Sequence, residues 1–124
     1  MNEVASRTPA TEPGLRVVAF GGGHGLSATL RSLRHITHGL TAVVTVADDG
    51  GSSGRIRAEA DALPPGDLRM ALVALCDESD WGLTWRDLMQ QRLVTDGALN
   101  DHALGNLLIL GLWQMFDDPV AGLD

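Results

Sequence analysis

The sequence contains no lysine: all nine of its basic residues are arginine. A Walker-type P-loop is thereby excluded, because its lysine must reach the β- and γ-phosphates. There is a single cysteine, Cys76, inside the apolar run ALVALC. One thiol in such a run fits a reducing cytoplasm and a small core side chain better than a nucleophile. No stretch approaches the roughly 18 apolar residues of a membrane-spanning helix, so none is expected. The opening residues, MNEVASRTPATEPG, carry no apolar h-region. No secretory signal is therefore expected, and these residues read as a disordered polar tail over residues 1–14. Positive charge is scarce overall, with a net charge of -7, which argues against a general nucleic-acid binder.

What is present is a globular composition, 44% hydrophobic and 20% charged over 124 residues, enough for one domain or a piece of a larger one. The β-branched run LRVVAFGGG predicts a buried parallel strand over Leu15 to Phe20 that stops at glycines. Leu26, Leu30 and Leu33 follow at helical spacing and predict a helix from Ser27 to His35. LTAVVTVA predicts a second strand, Leu40 to Ala47, and the three elements make a right-handed βαβ unit. RIRAEADAL reads as helical until Pro64, Pro65 and Gly66 interrupt it. Asp67 is a fitting N-cap for a helix with Leu68, Ala71, Leu72 and Leu75 on one face. LTWRDLMQQRL is amphipathic, with Leu83, Leu88 and Trp85 as inward candidates. HALGNLLILGLWQMF is apolar nearly all round, as in a helix buried on several sides. Asp118 and Pro119 read as the start of one more helix. Trp81, Trp85 and Trp113 are expected in the core or at an interface. Two strands cannot cover this many helices, so the pattern is that of a doubly wound parallel α/β sheet of which residues 15–124 form the N-terminal part. The missing strands would come from the rest of a longer chain, the favoured reading, or from a partner; a homo-oligomer is left open.

Two glycine-rich turns carry the chemistry. Gly21, Gly22, Gly23, His24 and Gly25 follow the first strand and open a helix, an arrangement that lets backbone amides approach an anion. It departs from the dinucleotide fingerprint, because the third glycine of G-x-G-x-x-G would fall at Leu26. A ligand-free tight turn is the alternative. His24 has two open readings, a hydrogen bond to phosphate or sugar and a solvated turn residue.

The second turn, ADDGGSSGR, sits beyond the second strand, where doubly wound sheets bind ligands. Asp48 and Asp49 suit three roles: accepting hydrogen bonds from a ribose or base edge, holding Mg²⁺, or general base catalysis; a turn or helix cap is the bland alternative. Gly50, Gly51 and Gly54 free the backbone for an anion nest, Ser52 and Ser53 add hydroxyls, and Arg55 offers a bidentate fork. Arg57 is either a second fork or solvated. Further on, Gly66 and Asp67 form another loop-to-helix turn, and Arg69 lies in a first helical turn where the dipole disfavours a cation, which suggests a nearby anion. His102 and Asn106 fall four apart on one helical face and either line a pocket or form a satisfied core pair.

Taken together, AFGGGHGLS, VTVADDGGSSGRIR, LPPGDLRMALVAL and HALGNLLILGL resemble the YvcK-like gluconeogenesis-factor branch of the CofD family over roughly residues 15–124. The resemblance implies a Rossmann-like α/β fold of roughly twice this length or more; the expected location is cytoplasmic, as the lone cysteine suggests. The resemblance also implies binding of a nucleotide-sugar such as UDP-N-acetylglucosamine, with a part in gluconeogenic growth, cell shape and cell-wall precursor supply. The implied ligand site is Gly21 to Gly25 with Asp48 to Arg55, supported by Gly66, Asp67, His102 and Asn106. Two positions depart from the family pattern: His24 stands where threonine is usual, and Asp101 where glycine is usual. The resemblance leaves catalysis open. The alternative it carries is a CofD-like transferase of a phospholactyl group from a nucleotide-activated donor, with Mg²⁺ on Asp48 or Asp49. An NAD-dependent dehydrogenase is disfavoured by the displaced third glycine.

Overall fold

The structure is a computed structural model and describes residues 14–123; apart from Gly14, the expected tail lies outside the described residues. Strand β1 (Arg16–Gly21) pairs in parallel with β2 (Gly39–Val44), and helix α1 (Gly23–Leu33) connects them. Helices α2 (Gly51–Ala60), α3 (Gly66–Leu75), α4 (Asp80–Gln90) and α5 (Leu104–Phe116) follow. The βαβ unit and the succession of helices are as the sequence reading expects.

One sheet face is covered. Ala19, Leu40, Ala42 and Val44 meet Leu26, Leu30 and Leu33 of α1 and Ala71 and Ala74 of α3. The two alanines let α3 lie close to α1, since small side chains leave room for the larger leucines opposite. The other face is bare: Val18 and Phe20 are exposed, Phe20 to 75%. The expectation of a fully buried strand is therefore corrected, because helices stand on one side only. β2 also ends at Val44 rather than Ala47. Its partner β1 stops at Gly21, and the last ladder-like bond is Thr45 N–H to the Gly21 carbonyl, 2.8 Å.

Several faces differ from the helical-wheel reading. On α3, Leu75 is exposed and the buried apolar residues are Ala71, Val73 and Ala74. On α4, Trp85 and Leu88 are exposed; Trp85 stacks edge-to-face on Trp81, ring centroids 5.6 Å apart. α5 buries only Gly105, Asn106, Ile109 and Trp113 and leaves Met115 and Phe116 exposed. The expected helix after Asp118 is instead a turn in which the Asp118 carboxylate accepts from Val120 N–H, 2.9 Å. Cys76 is half-buried at the end of α3 rather than in the core. Burial, then the nearby Asp77 carboxylate, pushes its thiol up, away from nucleophile character. No helix among the described residues is long and apolar enough to cross a membrane.

Candidate functional site

Both glycine turns fold into helix rather than loop. α1 begins at Gly23, four positions before the expected Ser27, after an extended Gly22. α2 begins at Gly51, so the segment GSSGR is a helical first turn and not a free loop. Gly23 (φ 58°) and Gly51 (φ 51°) take a left-handed backbone at these starts, a conformation that glycine adopts without a Cβ penalty.

A cavity of about 350 Å³ opens at the carboxyl ends of the two strands, between His24 after β1 and Asp48 after β2. Its floor is the N-terminus of α2, lined by Gly50, Gly51, Ser52 and Ser53. Asp48 accepts from Gly50 N–H, 3.1 Å, and turns the chain into the helix. No side chain caps α2, and among the described residues the amides of Gly51, Ser52 and Ser53 have no acceptor. These are the orphan donors of a helix start, at its positive end.

Side chains behind the floor are locked. Ser53 Oγ accepts from Gly66 N–H, 2.9 Å, tying α2 to α3. A Cβ at Gly66 would stand 2.5 Å from Ser53 Oγ and 2.9 Å from Asp48 Oδ2, so glycine alone fits. Ser52 Oγ lies 2.8 Å from His102 Nδ1 and accepts from Asn106 Nδ2, 3.1 Å. Asn106 Oδ1 in turn accepts from Arg69 Nε, 2.9 Å. Ser52, His102, Asn106 and Arg69 are all buried. His102 precedes α5 rather than lying on it, with Ala103 as the N-cap, yet it meets Asn106 through Ser52. Ser52 Oγ thus bridges Asn106 and His102, accepting from the amide and sharing one hydrogen bond with the imidazole.

Four expected site residues are engaged elsewhere. The Asp67 carboxylate is not the cap of its own helix, whose N-cap is Pro65; it accepts from Gly23 N–H, 3.0 Å, and caps α1. A carboxylate thus stands where the first glycine turn was read as an anion cradle. Of Gly21 to Gly25, only His24 reaches the cavity. Asp49 forms an exposed ion pair with Arg57, 2.9 Å, away from the cavity. Gly54 lies against the Asp49 carbonyl, where a Cβ would clash. Arg55 donates to the carbonyls of Ala98, 3.3 Å, and Asn100, 2.8 Å, and anchors the connector before α5.

Arginines do face the cavity, but they are Arg69 and Arg92. Burial, then Arg92, holds the Arg69 guanidinium below its ordinary range, with Asp48 opposing. Gly105 makes room for Arg69: a Cβ there would lie 2.8 Å from Arg69 Cδ. The position of Arg69 against the helix dipole was its sequence signal. Arg92 and Gly105 carry none until the chain is folded.

Burial, then the Arg55 charge, lowers His102 below its ordinary value. Native His102 stays neutral where the unfolded imidazole, near pH 6.5, already takes a proton. The unfolded chain then binds more protons, so stability is fully present above about pH 6.5 and is lost as pH falls through the lowered native value. Urea midpoints measured from about pH 8 to pH 5 should show this fall, and His102→Gln should flatten it. An unchanged slope in that variant would assign the pH dependence to other groups.

The parallel βαβ unit, with its cavity beyond the strand ends and its helix-start amides, defines an α/β protein with a Rossmann-like N-terminal part. A family model for 2-phospho-L-lactate transferase CofD matches residues 17–123. The chain belongs to the CofD family. A Mycobacterium tuberculosis relative bearing a gluconeogenesis-factor name is 57% identical over 108 residues, 87% of this chain and 32% of its own. The gluconeogenesis factor of Halalkalibacterium halodurans is 48% identical over 107 residues, 86% of this chain and 32% of its own. A crystal structure of a Bacillus halodurans protein superposes with a TM-score of 0.80 at 46% identity, covering 89% of this chain and 34% of that one. The chain thus spans about a third of the length of these relatives.

Proposed function

We propose that this chain supplies the phosphate-binding half of a nucleotide-sugar site, in a UDP-sugar-binding regulatory protein linked to gluconeogenic growth, cell shape and cell-wall precursor supply. The observation that carries the reading is the cavity floor, where the α2 amides lack acceptors and Gly66 leaves no space for a side chain. Such a surface suits the close approach of a phosphate. The gluconeogenesis-factor names of the relatives support the regulatory part. The pocket's polar groups, Asp48, His24 and the two arginines, suit an anionic, hydroxyl-rich ligand.

The family description favours a second reading, a CofD-like transferase, for which Asp48 and Asp49 are the candidate Mg²⁺ ligands. The donor set does not build a metal centre by itself. Among the described residues no three His, Cys, Asp or Glu side chains cluster, and Asp49 is paired with Arg57. Asp48 is the acid of the pair that faces the cavity.

The test is calorimetric titration of the full-length protein with UDP-N-acetylglucosamine, with and without Mg²⁺, and with NAD as control. Saturable binding of the UDP-sugar alone is expected. Binding of NAD alone would overturn the reading, and turnover of a nucleotide-activated donor would establish the transferase.

A further inference from the structure

Arg69 is 8% exposed, and among the described residues the ion pairs are Arg34–Glu78, Arg57–Asp49 and Arg86–Asp87. None of these direct pairs uses Arg69, whose desolvation is opposed only by the charge of Asp48 on the same cavity wall. The Arg69 Nε is held by Asn106, but none of the hydrogen bonds among the described residues uses its two η nitrogens. The residue lines the cavity. Arg92 lines it too, positioned by a 2.9 Å bond from its Nη1 to the Asp101 carbonyl. Two like charges therefore converge on the space above the unpartnered amides of α2, with Asp48 as the opposing acid. The Arg69–Asn106–Ser52–His102 chain fixes the first guanidinium in place before any ligand arrives.

We infer that Arg69 and Arg92, facing the N-terminus of α2, form a dedicated subsite for the diphosphate of the ligand. This rests on the nucleotide-sugar reading for the rest of that ligand. Diphosphate chemistry fits because it offers several acceptor oxygens at once: some for guanidinium forks and some for backbone amides. Asp48 and His24, which also line the cavity, are left for the ligand's hydroxyls. The anion then sits on α2, where Asp48 takes only the N-cap amide of Gly50 and, among the described residues, the next three amides stay unpartnered, and not on α1, whose first helical amide, Gly23 N–H, already meets the Asp67 carboxylate.

The experiment uses the full-length protein and two probes, inorganic pyrophosphate and UDP-N-acetylglucosamine. Pyrophosphate should bind, compete with the UDP-sugar and weaken steeply with salt. Arg69→Met and Arg92→Met should each weaken it by about tenfold or more, as for loss of a charge-assisted bond. Asn106→Asp guards against misfolding of the Arg69 variant: its carboxylate still accepts from Arg69 Nε but neutralises the guanidinium, so the fold stays and pyrophosphate binding is lost. UDP-sugar binding unchanged in all three variants would overturn the subsite and leave the nucleotide-sugar reading standing. Failure of pyrophosphate to bind or compete would also overturn it. Pyrophosphate binding that the variants weaken, in a protein that ignores the UDP-sugar, would uphold the subsite and overturn the nucleotide-sugar reading.

Discussion

Asn106→Leu, which keeps the branched outline but is larger and cannot hydrogen-bond, should destabilise the chain by about 3 kcal/mol. Asn106 is among the most buried side chains, and both ends of its amide are used. Its oxygen accepts from Arg69 Nε, and its nitrogen donates to Ser52 Oγ. Leucine would orphan a buried guanidinium N–H and remove a donor from a buried hydroxyl, and unmet buried donors cost more than the made bond contributes. The shift of the urea midpoint measures this. A loss under about 0.5 kcal/mol, the range of ordinary surface changes, would mean the polar chain is not structural. Asn106→Asp should recover most of the loss, because the carboxylate serves Arg69 and the Ser52 hydroxyl can turn to donate to it.

Gly66→Ala should act on fold and site together. The added Cβ would press on Ser53 Oγ and Asp48 Oδ2 at 2.5 and 2.9 Å, and Ser53 holds Gly66 N–H. Overpacking of this kind costs about 1–3 kcal/mol, and relief requires α2 and α3 to part. Because Ser53 and Asp48 line the cavity, UDP-sugar binding should fall by about tenfold or more, the effect of losing one oriented polar contact. Gly25→Ala is the matched control. Its Cβ would meet nothing within 4 Å, and the helix it joins favours alanine. It should leave binding intact and hold or raise the thermal midpoint. If Gly25→Ala abolished binding while Gly66→Ala did not, the ligand would sit on α1 and the site would have to be moved.

The βαβ unit was legible because its signals are local: a β-branched run, glycines, then leucines at helical spacing. The family was legible from the joint order of four motifs. Which polar group faces which was not. Asp67 fits a cap by its position, but its carboxylate finds Gly23, 44 residues away in sequence, once α3 packs beside α1. Arg55 and Asp49 stand in the most suggestive motif of the chain, yet one holds a distant connector and the other an adjacent arginine. Arg92 lies in no motif and becomes a cavity residue because the chain leaving α4 lines the same cavity as the start of α2. Helix faces failed for a related reason. The apolar stripes of α4 and α5 are wider than the surface that α3 offers them, so periodicity marked residues that have nothing to pack on.

The uncovered sheet face bears on how accurately the site is assembled. A slip of one residue in strand pairing exchanges the two faces, and proteins normally resist it because one face is apolar and the other polar. Here the contrast is weak: Val18, Phe20 and Val43 stand outside, and Ala19, Leu40, Ala42 and Val44 inside. Two threonines supply what the pattern lacks. Thr37 donates its hydroxyl to the Leu15 carbonyl and accepts from Gly39 N–H, at one end of the pair. Thr45 donates its amide to the Gly21 carbonyl at the other, with its hydroxyl against Gly22, where no Cβ would fit. They act as end stops for the alignment of the two strands. That alignment sets how far the His24 turn stands from Asp48, so the width of the cavity mouth follows from contacts made at the two ends of the strand pair, outside the cavity lining.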